Sequence, residues 1–100
     1  MLLVYVTCSN DKEAEKIARL VVKDKLAACA LVLPPAKSFF YWKKTMQETT
    51  ESVLLLKVKN SGYSKLEKKI LQLHSYETPC IIALKPSKVF KKYDSWVSKT

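Results

Sequence analysis

The chain of 100 residues contains one glycine, one histidine, one arginine and three cysteines. A single glycine, Gly62, excludes the glycine-rich loops that cradle phosphates. The lone arginine, Arg19, lies mid-helix by spacing, so the arginine-loop chemistry of an acylphosphatase is absent. No Cys-x-x-C occurs, which removes a metallochaperone loop, and an odd number of cysteines makes no disulfide framework. No apolar run approaches the roughly 18 residues of a membrane span. Met1–Val6 has no basic lead-in and runs into charged sequence, unlike a signal peptide. The expectation is one domain in a reducing, cytoplasmic setting, with no membrane partner.

Apolar residues make up 48% and charged residues 27%, which excludes a disordered chain. The net charge is +9, and seventeen of the eighteen cations are lysine. Bidentate recognition of bases or phosphates favours arginine. The charge therefore reads as a solvated face, with only weak, salt-sensitive attraction to nucleic acid and no specific partner there.

Leu2–Thr7 is a short apolar run with β-branched residues, hence a strand. Asn10 is a good N-cap, with Glu13 placed to reach back as in a capping box. Ala14, Ile17, Ala18, Val21 and Val22 then recur at helical spacing to about Lys25. Residues 28–33 read as a second strand, stopped by Pro34-Pro35. Residues 37–46, with Phe39-Phe40-Tyr41-Trp42, read as a strand or extended arm. Residues 50–59 form the clearest strand, broken at Ser61-Gly62. Tyr63, Leu66, Ile70 and Leu73 mark a second helix ending near His74. Residues 80–84 give a last strand, and residues 90–97 a short terminal helix.

This order is that of an α+β, ferredoxin-like βαββαβ sandwich with an extended hairpin and a C-terminal helix. Its two main helices cover one sheet face. Leu2-Leu3-Val4-Tyr5-Val6, Ala30-Leu31-Val32-Leu33, Val53-Leu54-Leu55-Leu56 and Ile81-Ile82-Ala83-Leu84 are nevertheless apolar on both faces. A one-sided sheet should alternate. A second copy of the chain is the simplest cover for the remaining face.

Each cysteine alternates with aliphatics, so Cys8, Cys29 and Cys80 read first as small buried hydrophobes. A soft site built from Cys29, His74 and Cys80 suits copper, although their spacing does not demand it. His74 at a helix C-terminus reads as a cap for free carbonyls before it reads as a ligand. Glu51, Glu77 and Asp94 form no recognisable dyad. RNA-recognition modules share the element order, but residues 53–58 lack the aromatics on which they stack bases.

Several stretches together resemble the divalent-cation-tolerance (CutA) family. They are Thr7-Cys8-Ser9-Asn10, Ala14 with Ile17-Ala18, Leu26-Ala27-Ala28-Cys29-Ala30, Ser38 with Phe40 and Trp42, Glu51 through Lys57, His74-Ser75-Tyr76-Glu77-Thr78-Pro79, and Tyr93 with Trp96. The resemblance implies a homotrimer similar to the PII signalling proteins, with the hairpin reaching a neighbour. It also implies a response to divalent metal ions with reversible copper binding proposed, no established reaction and no required cofactor. In animals, members are linked to anchoring of acetylcholinesterase. Carried onto this chain, it implies an inter-subunit cleft lined by Cys29, Trp42, Lys57, His74, Tyr76, Glu77, Tyr93 and Trp96. Phe40 stands where tyrosine is common, Ser75 where proline is frequent, and Cys80 where an acid is common. The expectation is a binding or signalling module and not an enzyme. The other reading is a module whose clefts take an anionic metabolite or a protein partner, with Lys57 as counter-charge.

Overall fold

Apolar, partly β-branched sequence extends as β1 (Leu2–Cys8), and Asn10 then turns the chain into α1 (Asp11–Lys23). The Asn10 side chain accepts from the Glu13 amide at 2.9 Å, the bond expected of an N-cap. Ala14, Ile17 and Val21 form the buried stripe of α1. The chain continues through β2 (Cys29–Val32), β3 (Ala36–Trp42), β4 (Thr45–Val58), a 3-10 turn at Asn60–Gly62, α2 (Tyr63–Leu73), β5 (Ile81–Leu84) and α3 (Lys91–Ser98). This is a computed structural model, and it describes all 100 residues.

The sheet order is β2-β4-β1-β5, with β3 added to the far half of β4. All pairings are antiparallel. The expected α+β order is present, with helix ends shifted by a residue or two.

Register sorts the side chains. Val4 faces Leu56, Val6 faces Leu54 and Cys8 faces Ser52. These residues are 0–1% exposed and pack with Ile17, Val21, Leu66 and Ile70 from the helices. The intervening residues point the other way. Leu31, Leu33, Ile82 and Leu84 stay 45%, 38%, 47% and 52% exposed on the face that the chain's own helices leave open.

Two features depart from the sequence expectation. The first concerns the end of α1, which stops at Lys23 because Lys25 adopts φ 58°. Leu26 N–H donates to Val21 O at 2.8 Å and Lys25 N–H to Val22 O at 3.0 Å, a Schellman closure with lysine in the glycine position. The second concerns β4, which begins at Thr45, five residues before the expected start, because β3 pairs with it from Ala36↔Glu51 to Trp42↔Thr45. The turn between them is Lys43-Lys44, at φ 51° and 65°. Positive φ at both central residues of a two-residue loop is the type I′ hairpin geometry. The Asn-Gly that normally announces it is missing. The resulting arm stretches the subunit to 46 × 27 × 23 Å.

Candidate functional site

Where β1 ends, α1 begins and α2 gives way to a loop, three chain segments meet. Glu13 ties them together. One carboxylate oxygen accepts from the Ser9 amide at 2.9 Å and the Ser9 hydroxyl at 3.1 Å. The other accepts from the Ser75 amide at 2.9 Å. The expected capping-box bond to the Asn10 amide is thus replaced by bonds one residue further back and across to the loop after α2. Burial opposes ionisation of Glu13, but the bonds from Ser75 and Ser9 and the nearness of His74 prevail, holding its carboxyl below 4.5.

His74 does not cap α2 with its ring, as its position had implied. Its backbone amide closes the helix by donating to Ile70 O at 2.8 Å. The ring crosses to β1, where Nε2 lies 2.7 Å from Thr7 O. A carbonyl only accepts, which assigns the hydrogen to Nε2. Nδ1 then accepts from the Tyr76 amide at 3.1 Å. Nδ1 is also 3.9 Å from a Glu13 oxygen. The His74 and Tyr76 rings lie 4.8 Å apart, and the Tyr76 hydroxyl donates to Glu51 at 3.0 Å. Burial, then the bond to Glu51, pushes the Tyr76 phenol up to about 12.

Beneath this layer sits Cys8. Ligand atoms of Cys8, Glu13 and His74 all lie within 4.8 Å of one another. Burial, reinforced by the charges of Glu13 and Glu51, pushes the Cys8 thiol up to about 12.

In front of Tyr76 opens a cleft of about 350 Å³, lined by Phe40, Trp42 and Gln47 of the hairpin and by Tyr76, Glu77 and Thr78. Within one subunit, therefore, the expected cleft residues divide. Trp42, Tyr76 and Glu77 meet here, with His74 behind them. Cys29 and Lys57 lie on the open sheet face, where Lys57 Nζ is 3.7 Å from Cys29 Sγ. Tyr93 and Trp96 pair on α3, ring centroids 5.7 Å apart. Of the expected metal set only His74 joins a three-ligand cluster; Cys29 and Cys80 are half-buried elsewhere. Cys8 and Glu13 were legible as a buried strand residue and a capping residue. Their meeting with His74 depends on where α2 lands, which no local pattern encodes.

The sequence matches the model of the CutA1 divalent ion tolerance protein family over residues 2–100. The chain belongs to the CutA1 divalent ion tolerance family. It is 33% identical over 97 residues to the divalent-cation tolerance protein CutA of Archaeoglobus fulgidus, covering 97% of this chain and 94% of that one. It is 40% identical over 93 residues to the CutA homolog of Xenopus laevis, covering 93% of this chain and 62% of that longer one. Its fold is similar to the periplasmic divalent cation tolerance protein CutA from Archaeoglobus fulgidus (TM-score 0.94, 32% identity, 99% and 97% of the two chains). It is equally similar to CutA from Xylella fastidiosa (TM-score 0.95, 32% identity, 98% and 94%). In this chain the CutA fold brings together the partly buried Cys8–Glu13–His74 cluster and the aromatic cleft in front of it. No helix is long and apolar enough to cross a membrane.

Proposed function

We propose that this CutA-family chain is a homotrimeric binding module in the response to metal ions, with copper as the ion and Cys8, Glu13 and His74 as the groups that hold it. The observation carrying this reading is the convergence of three ligand atoms within 4.8 Å. The donor set fits: a thiolate and an imidazole suit a soft or borderline transition ion, whereas magnesium and calcium require several oxygens. Cys8 and Glu13 replace Cys29 and Cys80 in the ligand set drawn from sequence.

Two groups stand between the ion and its ligands. The Tyr76 amide occupies His74 Nδ1, and the Cys8 thiol keeps its proton to about 12. Uptake therefore displaces Tyr76 and releases the thiol proton. Apparent affinity should rise about tenfold per pH unit through the neutral range for one released proton. Copper(I) titrated under reducing conditions into wild type, His74→Ala and Cys8→Ser is the test. Both variants should bind more weakly, and three equal affinities would remove the cluster from any metal role.

The trimer reading is supported by the open apolar face around Leu31, Leu33, Ile82 and Leu84. Three free cysteines support a reducing, cytoplasmic setting. The reading as an anion-binding module has less support. Within one subunit Lys57, its counter-charge, lies away from the cleft, whose one charged lining residue is Glu77.

A further inference from the structure

We propose that the cleft between the β3–β4 hairpin and the loop at residues 76–78 is a binding site for a small organic cation, an alkylammonium head group held on aromatic faces with Glu77 as its counter-charge. Phe40 and Trp42, two apart on β3, present their side chains on one face of the arm, and Tyr76 closes the cleft from the loop. Three aromatic side chains and one carboxylate around about 350 Å³ are the elements that attract an organic cation. Gln47 and Thr78 complete the lining with neutral polar groups.

The alternatives fit less well. An anion would meet Glu77 with no cation in the lining of the subunit, and a purely apolar molecule would leave that carboxylate without a partner. The net charge of +9 opposes a cation from a distance, but salt screens that field beyond about 8 Å at physiological ionic strength. The loop wall is preorganised as well. Tyr76 is fixed by its bond to Glu51 at 3.0 Å and by its packing on His74. Ordering it therefore costs little on binding.

Tetramethylammonium chloride, titrated at constant ionic strength, is the probe. Trp42 fluorescence in a Trp96→Phe background should change saturably. Saturation-transfer NMR on the methyl protons of the probe gives the same reading on wild-type protein if that variant folds poorly. Glu77→Gln should weaken binding about tenfold, and tert-butanol, the neutral molecule of similar shape, should bind far more weakly than the cation. Equal binding of tert-butanol, no loss in Glu77→Gln, or no saturable response from the wild-type protein would each overturn the proposal. The last of these includes a cleft already filled by a second copy of the chain.

Discussion

On one face of the sheet Val4, Val6, Leu54, Leu56 and Val58 are fully buried under α1 and α2. On the other, Leu31 of β2, Leu33 just beyond it, and Ile82 and Leu84 of β5 are 38–52% exposed although they belong to the same sheet. The strands are apolar on both sides, and the helices are the limiting resource. Each brings one apolar stripe, and both stripes go to the same face. Apolar exposure on this scale marks an interface. The difference between the faces lies in what each packs against, which is why it tests assembly and folding separately.

The largest effect should come from cutting into the closed face. Leu56 is fully buried and paired with Val4 and Ala30, so Leu56→Ala should cost about 2–5 kcal/mol of unfolding free energy. Denaturant unfolding measures it, and the assembly state should not change. Leu31→Glu on the open face should do the reverse. In sedimentation, the proposed three-chain species should fall apart into single chains that keep their far-ultraviolet circular dichroism. A Leu31→Glu protein that still sediments as a trimer would move the interface elsewhere.

The next effect belongs to the seam where the two helices meet β1. Glu13→Ala leaves the amides of Ser9 and Ser75 without their carboxylate acceptor. A charged hydrogen bond to a partly buried group contributes about 1.5–3 kcal/mol, so a loss of about 2 kcal/mol is expected. The pH dependence has a definite sign. The folded carboxyl titrates below 4.5, so its contribution is complete above that value and is lost as the pH falls through the lower folded value. Acid titration of stability should be steeper for wild type than for Glu13→Gln. Parallel acid limbs would show that Glu13 is not the group concerned.

The order and type of the elements were legible because each rests on local chemistry: Asn10 starts α1, Pro34-Pro35 ends β2, and Leu66 with Ile70 marks the buried face of α2. The doubly apolar strands even announced the open face. What could not be read was adjacency. Cys8 and His74 are far apart in sequence, and nothing near either residue specifies that α2 ends against β1. The eight expected cleft residues were carried over together, yet within one subunit they occupy the hairpin cleft, the open face and α3. The long arm was half visible as an aromatic run, but its turn lacked the residues that identify a type I′ hairpin.

The smallest effects concern that missing turn chemistry and set the one glycine against two lysines. Gly62 has an ordinary φ of −94°, so conformation does not require it. Space does: a Cβ there would come within 3.0 Å of Val58 Cγ1 and 3.3 Å of Lys59 Cγ. Because Val58 is fully buried and β-branched, it has little room to yield. Gly62→Ala should therefore destabilise by about 1 kcal/mol. Lys25 and Lys44 present the opposite case, with φ of 58° and 65°, a region that costs an L-residue about 1–2 kcal/mol and glycine nothing. Part of the gain from Lys25→Gly or Lys44→Gly is returned as extra freedom of the unfolded chain, leaving each about 0.5–1 kcal/mol more stable. The melting temperature should then rise by a few degrees. Lys25→Gly acts at the exposed end of α1, the helix that covers the closed face, and Lys44→Gly at the tip of the exposed arm. Equal gains at both would show that the backbone conformation, and not the packing around it, sets this term.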